Sequence, residues 1–194
     1  MRMKRVQCPE PPPLTGESSV RELDDFDALV AAHRPRVFRF ILASLRDQDA
    51  AETLTQDSFV RAYRARDQFR GAASVQTWLM QIAVNVVRTH VRNGRFQFWR
   101  RALRSKVDVG DAGEWLADRR RSPEEMASAK QQVAAIWNAA GALPERQRTV
   151  FLLRFVEDMD LLEIAAVTGI KEGTVKAHLF RALQSVRART GGTI

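Results

Sequence analysis

From Asp24 onward, apolar residues return every three to four positions, the period of a helix with one buried face. Phe26, Leu29, Val30 and His33 share one side of a first segment. Pro35 is expected to interrupt or bend it, and Val37, Phe38, Ile41, Leu42 and Leu45 resume the pattern. A second helix is predicted from about Asp49 to Asp67, with Ala51, Leu54, Phe59, Ala62 and Tyr63 apolar and Gln56, Asp57, Arg61 and Arg64 polar. Gly71 and Ser74 mark a break. Leu79, Ile82, Ala83, Val86 and His90 then repeat at helical spacing through VQTWLMQIAVNVVRTHVRN, with Trp78 a core candidate. Ser122-Pro123-Glu124-Glu125 reads as a helix start with proline in its first position. A stripe from Met126 through Val133, Ile136 and Ala140 to Leu143 follows, Pro144 ends it, and a short helix occupies Gln147 to Val156. No segment shows the sustained alternation of a strand, and no repeat of fixed period appears, so the predicted class is all-α.

The stretch MDLLEIAAVTGIKEGTVKAHLFRALQSVRAR, Met159 to Arg189, reads as two helices joined by a tight turn. Asp160 and Glu163 have the spacing of a capping box. Leu161, Ile164, Ala165 and Thr168 form the first stripe, Gly169 ends the helix, and Ile170 plugs the turn. On the second helix Val175, Leu179, Ala182 and Val186 form an inward stripe, leaving Lys176, Ala177, Phe180, Arg181 and Gln184 away from it. Cations that reach phosphates and guanine edges, set beside an aromatic ring that can meet thymine methyls, suit a major groove. The pattern is that of a helix-turn-helix. An ordinary helical hairpin with a solvated basic face is the plain alternative.

Charge sharpens this picture. The 194 residues carry 31 Lys+Arg against 23 Asp+Glu, a formal net charge of +8, which points to a polyanionic partner. No apolar run is long enough to span a bilayer, and the basic N-terminus lacks the apolar core of a signal peptide. Pro9, Pro11, Pro12 and Pro13 forbid a regular helix near the start. With Cys8 the single cysteine there is no intrachain disulfide, and a reducing cytoplasm is the simplest setting. His33, His90 and His178 lack metal-ligand spacing, and neither a phosphate-binding glycine loop nor a nucleophile elbow is present. No catalytic residue, metal site, cofactor or small-molecule substrate is therefore expected. Between Arg92 and Lys106, basic residues alternate with Phe96, Phe98 and Trp99, as suits phosphate contacts with base stacking; an amphipathic helix end would look the same.

Three stretches together resemble the extracytoplasmic-function (ECF) class of bacterial sigma factors. DAAETLTQDSFVRAYRARDQFRG resembles the family's second conserved helix, and SVQTWLMQIAVNVVRTHVRN the helix that meets the −10 promoter element. ALPERQRTVFLLRF followed by EIAAVTGIKEGTVKAHLFRA is similar to the domain that meets the −35 element. The resemblance covers roughly Asp24 to Arg189. It implies two small helical domains joined by a flexible linker, the second ending in the helix-turn-helix. The expected division is an N-terminal extension 1–23, a first domain 24–99, a linker 100–122 and a second domain 123–190.

It also implies partners: core RNA polymerase, through the clamp helices of its largest subunit and the flap of its second-largest, promoter DNA, and an anti-sigma factor. Gln56, Asp57 and Arg61 match positions that bind the clamp helices. Asn85 matches a residue that reads an unpaired −10 base, and Arg92 and Arg95 fall where phosphate contacts are expected. Lys176, Phe180 and Arg181 match −35 contacts, with Arg154 a further one a helix earlier. Lys171 stands where the family often has a capping serine, and Ala177 where a polar residue is frequent, so no side-chain hydrogen bond to DNA is expected at 177. A stand-alone helix-turn-helix regulator is the alternative, but it has no need of the first domain's polymerase-binding and strand-separating helices.

Overall fold

Short polar caps and long apolar stripes divide the described residues into seven α-helices with no strand among them, seen here in a computed structural model. It describes residue 23, residues 25–98 and residues 123–191, with side chains at 23, 25–93 and 131–191. Cys8, the linker 100–122 and the side chain of Arg95 lie outside them. The helices are α1 (Phe26–Leu45), α2 (Gln48–Ala65), α3 (Val75–Phe98), α4 (Pro123–Gly141), α5 (Glu145–Phe155), α6 (Leu161–Thr168) and α7 (Glu172–Arg189).

Each early helix start is fixed by a side chain that satisfies a backbone N–H left open at the first turn. Asp25 accepts from Ala28 N at 3.0 Å, Asp47 from Ala50 N at 2.9 Å and Ser74 Oγ from Thr77 N at 3.1 Å. Pro35 does not interrupt α1, which runs unbroken for 20 residues. The hydrogen bond that proline cannot make would have gone to Ala31, and both residues lie on the exposed face, where water replaces it. The opposite face buries Leu29, Val37, Phe40 and Ile41, and that packing holds the helix through the proline.

Helices α1, α2 and α3 form a three-helix group, with α3 against both others. Its core joins Leu29, Phe40, Ile41, Ala51, Phe59, Ala62, Leu79 and Ala83. Trp78 is half-buried beside Phe69, ring centroids 5.1 Å apart. Thr55 and Ser58 are buried in α2 without cost because their hydroxyls donate to the carbonyls of Ala51 and Leu54 at 2.7 Å.

Helices α4 to α7 form the second group, in which α7 packs on α4, α5 and α6. The turn between α6 and α7 has the geometry its residues dictate. Asp160 accepts from Glu163 N and Glu163 accepts from Asp160 N, each at 2.8 Å, closing the capping box. Gly169 ends α6 at φ 69°, a conformation that costs any side chain with a Cβ. Asp160→Ala is expected to destabilise the fold by about 1 kcal/mol. Gly169→Ala should cost about 1–2 kcal/mol, each kcal/mol lowering the melting temperature by roughly 2–4 °C. Melts followed by circular dichroism check both, and unchanged midpoints would show that the turn carries none of this stability.

The two groups share one buried core. Helix α1 packs on α5 and α3 packs on α6. Helix α3 therefore buries two adjacent stripes, Leu79, Ala83 and Val86 beside Met80, Val84 and Val87.

Candidate nucleic-acid and polymerase interface

Two exposed tracks and one ridge carry the predicted site residues. The first track runs along α3, where Gln81, Asn85, Arg88 and Arg92 recur at helical spacing and are all exposed. An asparagine at the middle of a long helix adds nothing to helix propensity, and here it is exposed, a side chain that carries both donor and acceptor. Arg88 was not among the predicted residues. It lies between Asn85 and Arg92 on the same track, at i+3 from one and i−4 from the other, which is the signal that would have found it.

The second track belongs to α7. Val175, Ala182 and Val186 are fully buried, which turns Lys176, Phe180 and Arg181 outward. Phe180 is 61 % exposed, an arrangement that costs hydrophobic free energy unless a partner covers the ring. Lys176 Nζ pairs with Glu172 Oε1 at 2.6 Å. Lys171, at the start of α7, makes no side-chain cap, in keeping with the missing serine. Burial lowers the pKa of His178, and the nearby Arg181 and Arg146 lower it further, so the imidazole stays neutral at pH 7. Arg146, at the start of α5, is thus a second basic residue that local spacing did not reveal, because it reaches this surface only through the packing of α5 on α7. Arg154 is half-buried, its Nη1 donating to the carbonyl of Met159 at 2.9 Å, so it ties down the loop between α5 and α6.

The ridge is α2. Gln56 is exposed in a groove of about 660 Å³ between α1 and α2, walled by Phe26, Val30, Phe59, Val60 and Tyr63. Tyr63 is half-exposed there and meets Phe26 edge-on at 5.1 Å. Asp57 and Arg61 face the other way, into a groove between α2 and α3 that also includes Val86, Thr89, His90 and Asn93. Arg61 Nη2 lies 2.9 Å from Asp57 Oδ2. The structure therefore places Asp57 and Arg61 together and sets Gln56 across the crest of the same helix. Among the described residues no group of three or more His, Cys, Asp or Glu is placed to hold a metal, and no helix is long and apolar enough to cross a membrane.

The sequence matches the family model for sigma-70 region 2 over residues 29–97 and that for sigma-70 region 4 over residues 134–186. It is 32 % identical over 166 residues to the RNA polymerase sigma-H factor of Pseudomonas aeruginosa, covering 83 % of each chain. The chain belongs to the ECF class of RNA polymerase sigma factors. The ECF RNA polymerase sigma-E factor of Salmonella typhimurium is 30 % identical over 166 residues, covering 83 % of this chain and 84 % of that one. Two solved structures share the fold of this sigma factor. The sigma factor RpoE, in complex with the anti-sigma factor NepR from Bartonella quintana, superposes with a TM-score of 0.68 at 20 % identity, covering 88 % of this chain and 99 % of that one. CnrH, in complex with the cytosolic domain of CnrY, gives 0.61 at 21 %, covering 92 % and 96 %. Membership gives the function. The chain is a transcription initiation factor that binds core RNA polymerase and promoter DNA through its two helical regions.

Proposed function

We propose that this sigma factor reads the −10 element with the α3 track and the −35 element with the α7 track, and that it meets the polymerase clamp on the α2 ridge. The observation that carries the reading is the opposed exposure of the two tracks, each a polar or basic strip backed by a fully buried stripe. Asn85 takes an unpaired base by its amide, Arg92 and Arg95 hold phosphates nearby, and Arg88 extends that strip. Lys176 contacts phosphate, Arg181 forks onto a base edge and Phe180 meets apolar base groups. Arg154 supports the second surface through the loop it ties. Gln56, Asp57 and Arg61 bind the clamp helices, and the second helical group meets the flap. The domains divide as 24–99 and 123–190, the linker passes between them, and the chain works in the cytoplasm beside polymerase without catalysis of its own. Because the solved neighbour RpoE is in complex with the anti-sigma factor NepR, we assign this chain an anti-sigma partner as well.

Splitting DNA contacts between two small surfaces makes each weak alone. Core polymerase fixes their separation and raises the effective concentration of the second once the first is bound. The free protein is therefore expected to shift a promoter duplex weakly and without sequence preference, and addition of core enzyme to create specific binding. Gel-shift titrations with and without core test this. Tight, specific binding by the free protein would instead establish a stand-alone regulator.

A further inference from the structure

Glu157 is the one residue whose charge sits wholly inside the described part of the molecule, and both of its ionic partners come from the other helical group. It lies in the loop between α5 and α6, with its side chain 0 % exposed. Arg36 on α1 donates from Nε to Glu157 Oε2 at 3.0 Å and from Nη2 to the Glu157 carbonyl at 2.7 Å. Arg39, one turn on, donates from Nε to Oε1 and from Nη2 to Oε2, each at 3.1 Å. Gln76 of α3 accepts from Arg36 Nη1 at 2.8 Å and so aims the guanidinium at the seam. A third arginine, Arg46, which caps the end of α1, crosses at the far end. Arg46 Nη1 donates to Asn138 Oδ1 on α4 at 3.2 Å, and a Cβ placed on Gly141 would lie 2.5 Å from Arg46 Cζ, so the missing side chain makes room for the guanidinium.

This closed arrangement cannot be the one that reads a promoter. Elements centred at −10 and −35 lie roughly 25 base pairs apart, about 85 Å along B-form DNA. Two helical groups that share one core cannot touch both. The 24 residues from 99 to 122 reach at most about 80 Å fully extended, enough for most of that separation once the groups part. We propose that Glu157, gripped by Arg36 and Arg39, is an interdomain latch that holds the free sigma factor closed and must release before both promoter elements can be engaged. The consequence for transcription rests on the two-surface reading given above; the latch itself does not.

Apolar burial along α3 and α6 supplies most of the closing drive. The ionic cluster selects the register, because a docking that buries these same faces out of register strands a carboxylate and two guanidiniums away from water and from each other. Burial pushes the Glu157 carboxyl up, while the hydrogen bond from Arg36 and the charges of both arginines hold it down. Reversing either side sets like charges face to face in the seam, whereas in the open form all three groups are solvated and the same changes cost little.

The test uses the full chain with Cys8→Ser and a fluorophore pair at Ala31→Cys and Ala188→Cys, both exposed, one on each group. Glu157→Arg, and separately Arg36→Glu with Arg39→Glu, are expected to lower the transfer efficiency. The triple charge swap should restore it, a recovery that general damage to the fold would not give. If Glu157→Arg fails to fold, the α1 pair, whose side chains are about one-third exposed, carries the measurement alone. Efficiencies equal to wild type in folded variants on both sides of the seam would overturn the latch. Core RNA polymerase binding is read in parallel. If the clamp and flap contacts of the two helical groups together need the open form, the freed variants should bind core more tightly by the inverse of the wild-type open fraction, roughly tenfold if closed exceeds open by about ten to one. Variants that open but bind no core would overturn the two-surface reading and leave the latch standing.

Discussion

Reversing the charge at Asp57 is expected to weaken binding to core RNA polymerase by about 100-fold while the free protein stays folded. The argument is one of magnitudes. In the free chain Asp57 is paired only with Arg61, one turn along α2, and both side chains are more than one-third exposed. Such a pair contributes a few tenths of a kcal/mol, so losing it, and gaining a repulsion of similar size, leaves folding almost unchanged. At an interface with basic clamp helices the same substitution sets like charges together with water excluded, which costs several kcal/mol. Each 1.4 kcal/mol is a factor of about ten, so two decades of affinity is a moderate expectation. A titration of labelled core with wild-type and Asp57→Arg protein measures it, alongside a thermal melt. Equal affinities with equal melts would remove Asp57 from the interface and leave its pair with Arg61 as surface decoration of α2. Asp57→Asn separates the two effects further, since it removes the charge without reversing it and should cost the interface much less.

What the sequence disclosed and what it hid divide along the distance between interacting residues. The capping box of Asp160 and Glu163 and the stop at Gly169 are three to nine residues apart, and each follows from local backbone chemistry. The inward stripe of α7 is equally local, and with it the outward placement of Lys176, Phe180 and Arg181. Pro35 does not interrupt α1 because a local rule meets a tertiary one: burial of Leu29, Val37, Phe40 and Ile41 outweighs one absent hydrogen bond on a wet face. On α3, the stripe of Leu79, Ala83 and Val86 follows from the helical period, whereas nothing local makes Met80, Val84 and Val87 a second one. A helix with two buried stripes needs a second neighbour, and that neighbour, α6, begins only at Leu161. Nothing local marks Glu157, since its partners Arg36 and Arg39 stand 121 and 118 residues earlier. Arg88 and Arg146 escaped for a related reason. The first is one of several arginines late in α3, and the second joins Arg181 only across the packed faces of α5 and α7.

Asn85→Ala and Arg181→Ala are expected to fail in different ways on the same promoter. Both residues are exposed on helices whose opposite faces are buried, so neither substitution removes core packing and the melting temperature should hold. Arg181, forked onto a base edge, should cost roughly 1–3 kcal/mol when truncated and relax preference at that base pair of the −35 element. Lys176→Ala is the control for phosphate contact. Its loss should weaken binding evenly across sequences and lower the salt slope by about one unit, with Glu172, no longer paired at 2.6 Å, adding to the weakening. Asn85 acts after strand separation. Flipping a base out of the stack costs a few kcal/mol, and a receiving amide offsets part of it, so without that amide open complexes should form poorly while duplex −35 recognition persists. Holoenzyme is compared on a duplex promoter and on one already unpaired at the −10 element. The Arg181 variant should lose −35 preference on both templates. The Asn85 variant should lose base preference at the −10 element even where no melting is needed, because the missing contact is to the flipped base itself. If it regains full preference on the unpaired template, Asn85 assists melting rather than reading. If it matches wild type on both templates, the exposed amide at the centre of the α3 track is only a solvated surface group.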